Sequence, residues 1–441
     1  MKRTFLSILL LGAGLTAQAQ SNKINFTEYD LPNGLHVILH QDKTTPTVAV
    51  TMLYHVGSKN EDPQRTGFAH FFEHLMFEGS ENVERGKYIN MIQSAGGAVN
   101  ANTSFDRTYY YQILPSNQLA LGLWMEADRL RSAKIDQQGV ETQRQVVKEE
   151  KKQRLDNQPY GSLLENTFAT AYAVHPYRWV PIGSAQYIDR ASLQEFMQFY
   201  KTFYVPNNAT LTIAGDLDIE QTKKLVEQYF GAIPKSTTPI HRPTVEEPKQ
   251  VEEGRKVVFD NIQLPAVVQA YHIPAQGTPD SYAISMLTTL LSGGQSSRLN
   301  KALVDNQQKA VTVASIPMSM ENPGLFINLA VANMGVDVHD LERSMDTEID
   351  RVKKEPITDQ EFQKLRNQIE TNYINGLATL EGRTEKLASY HALYGNTNLI
   401  NTELDKFLAV TKEDLMRVAN QYLTKENRAV LHYLPKTAQA R

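Results

Sequence analysis

Residues 70–74 read His-Phe-Phe-Glu-His, between Gly67 and Gly79 and among the apolar side chains Phe68, Leu75, Met76 and Phe77. On an α-helix turning about 100° per residue, His74 lies about 40° from His70, and Glu73 about 60° to its other side. Two imidazoles at i and i+4 can both reach one metal ion, and the carboxylate between them can reach a water beside it. With 11 His and 49 Asp+Glu in 441 residues, chance supplies about 0.03 such patterns per chain. Surface decoration would not explain the apolar setting.

The chain contains no cysteine. Disulfides, thiolate ligands and a thiol nucleophile are therefore excluded, and a third protein ligand must be an oxygen. The helical run Val140–Arg154 offers Glu149 and Glu150. Val140, Val147 and Glu150 share one stripe at i, i+7 and i+10, while Glu149 follows Val146 on a neighbouring one. Periodicity leaves both open, and either could equally be a solvated charge between lysines.

The elements that must position these side chains belong to a chain of ordinary globular composition, 41% hydrophobic and 21% charged. Its 45 Lys+Arg against 49 Asp+Glu give a net charge of −4, without the basic footprint of a nucleic-acid or anionic-membrane partner. Lys2 and Arg3, an apolar stretch from Phe5 to about Leu15, and Ala17 and Ala19 have the layout of an export signal cut near Ala19. Residues 1–19 are expected to be a signal peptide and the mature protein periplasmic or secreted. The apolar stretch falls short of the roughly 20 residues that cross a bilayer, and no other segment approaches a membrane span.

Strands alternating with long helical patterns predict an α+β fold. A hairpin is expected from Asn25–Asp30 and Leu35–His40 around the turn at Pro32-Asn33-Gly34, followed by a strand over Thr47–Val56. Residues 234–254, rich in Pro, Thr, Ser, Glu and Lys, read as a linker between a first domain (20–233) and a second (255–441). Ser192–Thr212 and Thr411–Leu431 repeat one another at an offset of 219 residues, with Phe196 matching Leu415, Met197 matching Met416 and Phe203 matching Tyr422. Each reads as a Ser or Thr N-cap, an amphipathic helix, a polar turn and a strand, which points to duplication.

H-x-x-E-H is the inverted form of the zinc-protease motif. Together with Ala95–Tyr111 and Gln143–Gly161, it makes the sequence resemble the pitrilysin/insulinase family of zinc metallopeptidases. The length and two-halves layout look like its short-chain bacterial branch, related to mitochondrial processing peptidase. The resemblance implies two homologous α/β sandwich halves and a zinc-dependent endopeptidase or oligopeptidase with one zinc per chain. It implies His70 and His74 as ligands, Glu150 as the third through the match to R-x-V-V-x-x-E, and Glu73 as general base. The strand Gly97–Thr103 looks like the family's edge strand that pairs with an extended peptide, nominating Asn100, Ala101 and Asn102 as substrate contacts. The family's supporting acid, seven residues before the ligand glutamate, is Gln143 here, so its role does not carry over.

Aligning the halves sets Ser285–Gly294 opposite His70–Gly79, with no histidine or glutamate remaining. One metal site is expected. The family's Arg and Tyr, which hold the substrate carbonyl, follow a segment present here as Gly293–Leu299 and fall on Val304 and Val311. Valine donates no side-chain hydrogen bond. This departure suggests the zinc-bearing chain of a heterodimer, closing a clam-like chamber against a related chain that supplies the missing pair. A homodimer using another group, such as Tyr109, Tyr110 or Tyr160, is the alternative. A different class of reading, a non-catalytic peptide-binding or scaffold protein with structural zinc, leaves Glu73 without a purpose.

Overall fold

Two sheets organise residues 23–438, the part of the chain that the computed structural model describes. The expected signal peptide, residues 1–19, lies outside the described residues. The first sheet contains β1 (Thr27–Asp30), β2 (His36–Gln41), β3 (Thr47–Tyr54), β4 (Ala98–Thr103), β5 (Thr108–Pro115) and β6 (Ala209–Gly215), in the order β1-β2-β6-β3-β5-β4. The second contains β7 (Gly254–Asp260), β8 (Ala266–Ile273), β9 (Ala310–Met318), β10 (Gly324–Ala332) and β11 (Arg428–Pro435), in the order β7-β11-β8-β10-β9. Without β1 the two orders correspond strand for strand. β2 with β6 and β7 with β11 are the parallel pairs, and all other pairings are antiparallel.

Helices α1 (Phe68–Leu75), α2 (Tyr88–Ser94), α3 (Leu119–Ser132), α4 (Gln137–Lys151), α5 (Leu163–Ala171), α6 (Ala185–Arg190), α7 (Leu193–Phe203) and α8 (Ile219–Phe230) belong to the first half. The second half has α9 (Pro279–Ser292), α10 (Val338–Lys354), α11 (Asp359–Gly376), α12 (Leu380–Tyr394), α13 (Leu399–Leu408) and α14 (Lys412–Tyr422). The repeat is visible in atomic detail. Ser192 and Glu195 form a capping box at the start of α7, and Thr411 and Asp414 form its equivalent at α14. A 3-10 turn and then a strand, β6 or β11, follow each helix.

β3 and β6 are buried along almost their whole length, as strands covered on both faces must be. The two halves exchange covers. α12 of the second half crosses β3 and β6, with Leu387 packed near Ile38 and Ala388 near Leu53 and Tyr109. Reciprocally, α5 lays Phe168 on Val268 and Leu431 of the second sheet. Burying such an aromatic or aliphatic side chain contributes about 1.5–3 kcal/mol. Lys59, buried between the halves, pairs with Asp106 at 2.8 Å and with Glu321. Residues 234–253 carry no helix or strand.

The motif helix is shorter than its flanking glycines suggest. α1 stops at Leu75, and Phe77 and Glu78 close onto His74 and Leu75 through three-residue hydrogen bonds, which tighten its end. Gly79 then takes φ +112. α4 begins earlier than Val140 because Asp136 accepts the Gly139 amide as an N-cap.

Candidate metal centre

α1 is amphipathic in the way its sequence requires. Phe68, Phe71 and Phe72 are buried against Phe196 and Phe199 of α7, and His70, Glu73 and His74 are left on the opposite side, lining a cavity. Gly67, which precedes the helix at φ +99, passes so close to Gly183 that a Cβ on Gly183 would lie 2.2 Å from its nitrogen. Glycine at both positions permits this approach. Neither glycine can cap α1, and a distant side chain takes that place: Glu61 accepts the amides of Gly67 at 2.9 Å and Ala69 at 2.8 Å. Burial pushes the Glu61 carboxyl up to about 8.

α4 packs beside α1 through buried Val140 and Val147. Glu150, on the same stripe, therefore turns towards the two imidazoles. Its Oε2 lies 3.0 Å from His74 Nε2 and 3.7 Å from His70 Nε2. Glu149 points elsewhere, is largely exposed and accepts from Gln153. Donor atoms of His70, His74 and Glu150 all fall within 4.8 Å of one another. Tetrahedral zinc with bonds of roughly 2.0–2.2 Å sets its ligands about 3.4 Å apart, so this donor set fits that ion without thiolate. Burial, followed by the neighbouring His74, pulls the His70 imidazole down to about 4, which favours the neutral form that binds metal. Hydrogen bonding from His74 first, opposed by burial, holds the Glu150 carboxyl below its ordinary value.

Glu73 faces the same cavity, of about 520 Å³, and burial raises its carboxyl above the usual range. Thr103 Oγ1 donates to its Oε2 at 2.6 Å. Asn100, Ala101 and Asn102 line this cavity along β4, the outermost strand of the sheet. The Ala101 amide donates to Asn100 Oδ1 at 2.9 Å. Arg154, in the widened π-helical turn Lys152–Asp156 after α4, also reaches the cavity.

Two other clusters bring comparable donor atoms within the same distance of one another. His36 and His391, beside Glu28, stack face to face with centroids 3.4 Å apart and planes 2° apart, so their in-plane lone pairs run parallel instead of converging. In His339–Glu342–His432, two guanidinium groups, those of Arg255 and Arg428, pair with the Glu342 carboxylate, and among the described residues neither His339 nor His432 lies beside a second carboxylate placed as Glu73 is.

Gln143 Nε2 donates to Glu78 Oε1 at 2.6 Å, and Glu78 in turn pairs with Arg85. Nothing from the second half lines the cavity among the described residues. Val304 lies in the turn Asn300–Asn306, Val311 is exposed on β9, and Arg298 is paired with Glu361 at 2.8 Å. The tyrosines considered as substitutes are committed elsewhere. Tyr109 bonds Thr384 at 3.0 Å, Tyr110 bonds the Phe72 carbonyl at 3.3 Å, and Tyr160 bonds the Leu264 carbonyl at 2.7 Å.

Sequence reasoning missed Thr103, Glu61 and Arg154. Strand alternation was a usable signal for Thr103, since positions 99, 101 and 103 share the face turned towards α1. The Glu61 contact, made across a loop, left none. Arg154 lay within the predicted helix, four residues beyond one of the two open candidates.

A sheet-and-helix sandwich built twice, with an inverted His-x-x-Glu-His helix in one half, defines the architecture of an inverted-motif zinc peptidase. Residues 36–179 match the insulinase family, peptidase family M16, and residues 190–369 match the peptidase M16 inactive domain. The chain belongs to peptidase family M16. It is 32% identical to zinc protease PqqE of Helicobacter pylori over 419 residues, 94% of each chain. It is 24% identical over 410 residues to a probable mitochondrial-processing peptidase subunit beta of Arabidopsis thaliana, covering 91% of this chain and 76% of that one. Among solved structures, a protease from Helicobacter pylori superposes with a TM-score of 0.90 at 30% identity, over 93% of this chain and 100% of that one. The periplasmic protease PqqL of Escherichia coli shares the fold, with a TM-score of 0.78 at 19% identity, over 94% of this chain and 48% of that one. Zinc-protease relatives across nearly the full length make this a peptidase-family protein. No described helix is long and apolar enough to cross a membrane.

Proposed function

We propose that the chain is a zinc-dependent endopeptidase or oligopeptidase acting on extended peptides. One observation carries this reading: His70, His74 and Glu150 direct donor atoms to a common point beside Glu73, in a cavity bordered by an unpaired sheet edge. Zinc at that point supplies a Lewis acid that polarises a scissile carbonyl and draws the pKa of water towards neutrality. Glu73 takes a proton from the attacking water and passes it to the departing amine nitrogen. Its enclosure, which raises its affinity for a proton, suits it to that exchange. The Thr103 hydroxyl orients the carboxylate meanwhile. Asn100, Ala101 and Asn102 pair with substrate backbone, which admits varied side chains; the Asn100 amide group first yields the Ala101 N–H.

The cavity lining supports the further reading that this is the zinc-bearing chain of a heterodimer. Its residues run from His70 to Arg154 only, and a developing oxyanion gains several kcal/mol from donors placed to meet it. A related chain bearing an Arg/Tyr pair supplies those donors and closes the chamber. The proportion to PqqL, of which this chain covers 48% in full and 93% of its first half, is consistent with a working unit of two such chains. Export through residues 1–19, with cleavage near Ala19, places the enzyme outside the cytoplasm.

Glu73→Gln separates catalysis from a structural-zinc scaffold. The variant is expected to bind zinc and peptide as the unaltered chain does, while turnover falls by about 10²–10⁴-fold. Turnover that survives the change assigns the proton transfer elsewhere.

A further inference from the structure

Among the described residues that line the cavity, Arg154 is the one permanent cation. Its Nη1 forms an ion pair with Glu150 Oε1 at 2.7 Å, whereas Glu150 Oε2 stands 3.0 Å from His74 Nε2 and 3.7 Å from His70 Nε2. The two oxygens of one carboxylate are thus divided between a guanidinium and the imidazole pair. Neighbouring cations are engaged otherwise, Lys148 with Asp189, Lys151 with Glu165 and Lys152 with Glu149. The π-helical turn Lys152–Asp156 is closed by Asn157 N–H on the Lys152 carbonyl and by Gln158 on the Gln153 carbonyl. It holds Arg154 four residues beyond Glu150, against the face of the carboxylate that turns away from the histidines. With 75% of its side chain exposed, Arg154 is not required by the hydrophobic core.

We infer that Arg154 is a positioning residue that keeps Glu150 a one-oxygen ligand. This rests on the metal-centre reading above. A carboxylate with both oxygens free can grip an ion with both, and hydrolysis needs a coordination position left open for water. Occupying Oε1 prevents that second grip. A guanidinium does so as a planar, permanently charged group held in an ion pair, where a lysine ammonium is a mobile point charge. Loss of Arg154 therefore costs turnover more than it costs metal retention or peptide affinity.

The test loads the full chain, Arg154→Gln and Arg154→Lys with Co²⁺ alone, records visible absorption and Co²⁺ affinity, and follows hydrolysis of an unstructured peptide. In Arg154→Gln, Co²⁺ affinity stays within about tenfold while the visible bands weaken as the coordination number rises. The same variant loses kcat by about 10–100-fold with KM within about threefold, and Arg154→Lys falls between. Unchanged bands with unchanged kcat overturn the inference, as does a rise in KM alone, which assigns Arg154 to peptide contact. If the unaltered chain takes up no Co²⁺, the metal-centre reading itself fails. That outcome is distinct from a metal-loaded, active chain indifferent to Arg154.

Discussion

Glu61 places a carboxyl group in an enclosed site at the start of the helix that bears the metal ligands, where it accepts two backbone amides. Its value near 8 in the folded chain exceeds the ordinary 4.5. The folded chain thus holds a proton that the unfolded chain releases between these values. Stability from this group is full below about pH 4.5 and declines as pH rises towards about 8, by at most ~1.4 kcal/mol per pH unit. Urea midpoints should therefore fall between about pH 5 and about pH 8 more steeply in the unaltered protein than in Glu61→Gln. Equal slopes would contradict the assignment. Glu61 shows why part of the site was illegible in the sequence, because its partners are set by a loop closing on a helix end. His70, Glu73 and His74 were legible because the helical period alone gathers them. Glu150 and Glu149 differ by one position on a helix whose facing is decided by Val140 and Val147. The residue pattern left both open, and the family resemblance favoured Glu150.

At the scale of elements, the signals that worked were local. N-caps at Ser192 and Thr411 announced α7 and α14, and the turn at Pro32-Asn33-Gly34 announced β1 and β2. β4 was readable as a strand through its resemblance to a known edge strand, which also supplied the position that the sheet order gives it. Boundaries were less legible. The glycines at 67 and 79 suggested a motif helix of some three turns, but α1 ends at Leu75 because Phe77 and Glu78 tighten into a turn that sends the Glu78 carboxylate to Gln143 and Arg85. The departure from α-helical geometry after Lys151 had no sequence signal, since the run through Arg154 is uniformly polar and strongly helical in composition. That departure is what sets Arg154 beside the cavity.

For the whole molecule, duplication was readable from one repeated unit, and the two sheets carry it through strand order. The exchange of α5 and α12 between halves was not readable, since neither helix records which sheet it will cover. Because each sheet is buried beneath a helix from the other half, and Lys59, Asp106 and Glu321 tie the halves together, the second half is a structural necessity even without metal ligands. Among the described residues it brings no donor to the cavity, and the resemblance sets Val304 and Val311 at the positions of the family's Arg and Tyr. The partner chain proposed above is the reading that answers this departure. The purified chain should hydrolyse peptides feebly and gain at least about 10²-fold on addition of a related chain that lacks H-x-x-E-H but carries the Arg/Tyr pair. Full turnover from the chain alone, undiminished by dilution, would contradict that arrangement.

The central claim is that two imidazoles of α1 and one particular glutamate of α4 share a single divalent ion, and zinc content after equilibrium dialysis tests it most directly. The account predicts about one zinc per chain in the unaltered protein and in Glu149→Gln, and affinity weakened by at least about tenfold in Glu150→Gln. Zinc held equally well without the Glu150 carboxylate, or no zinc held by the unaltered chain, would contradict it.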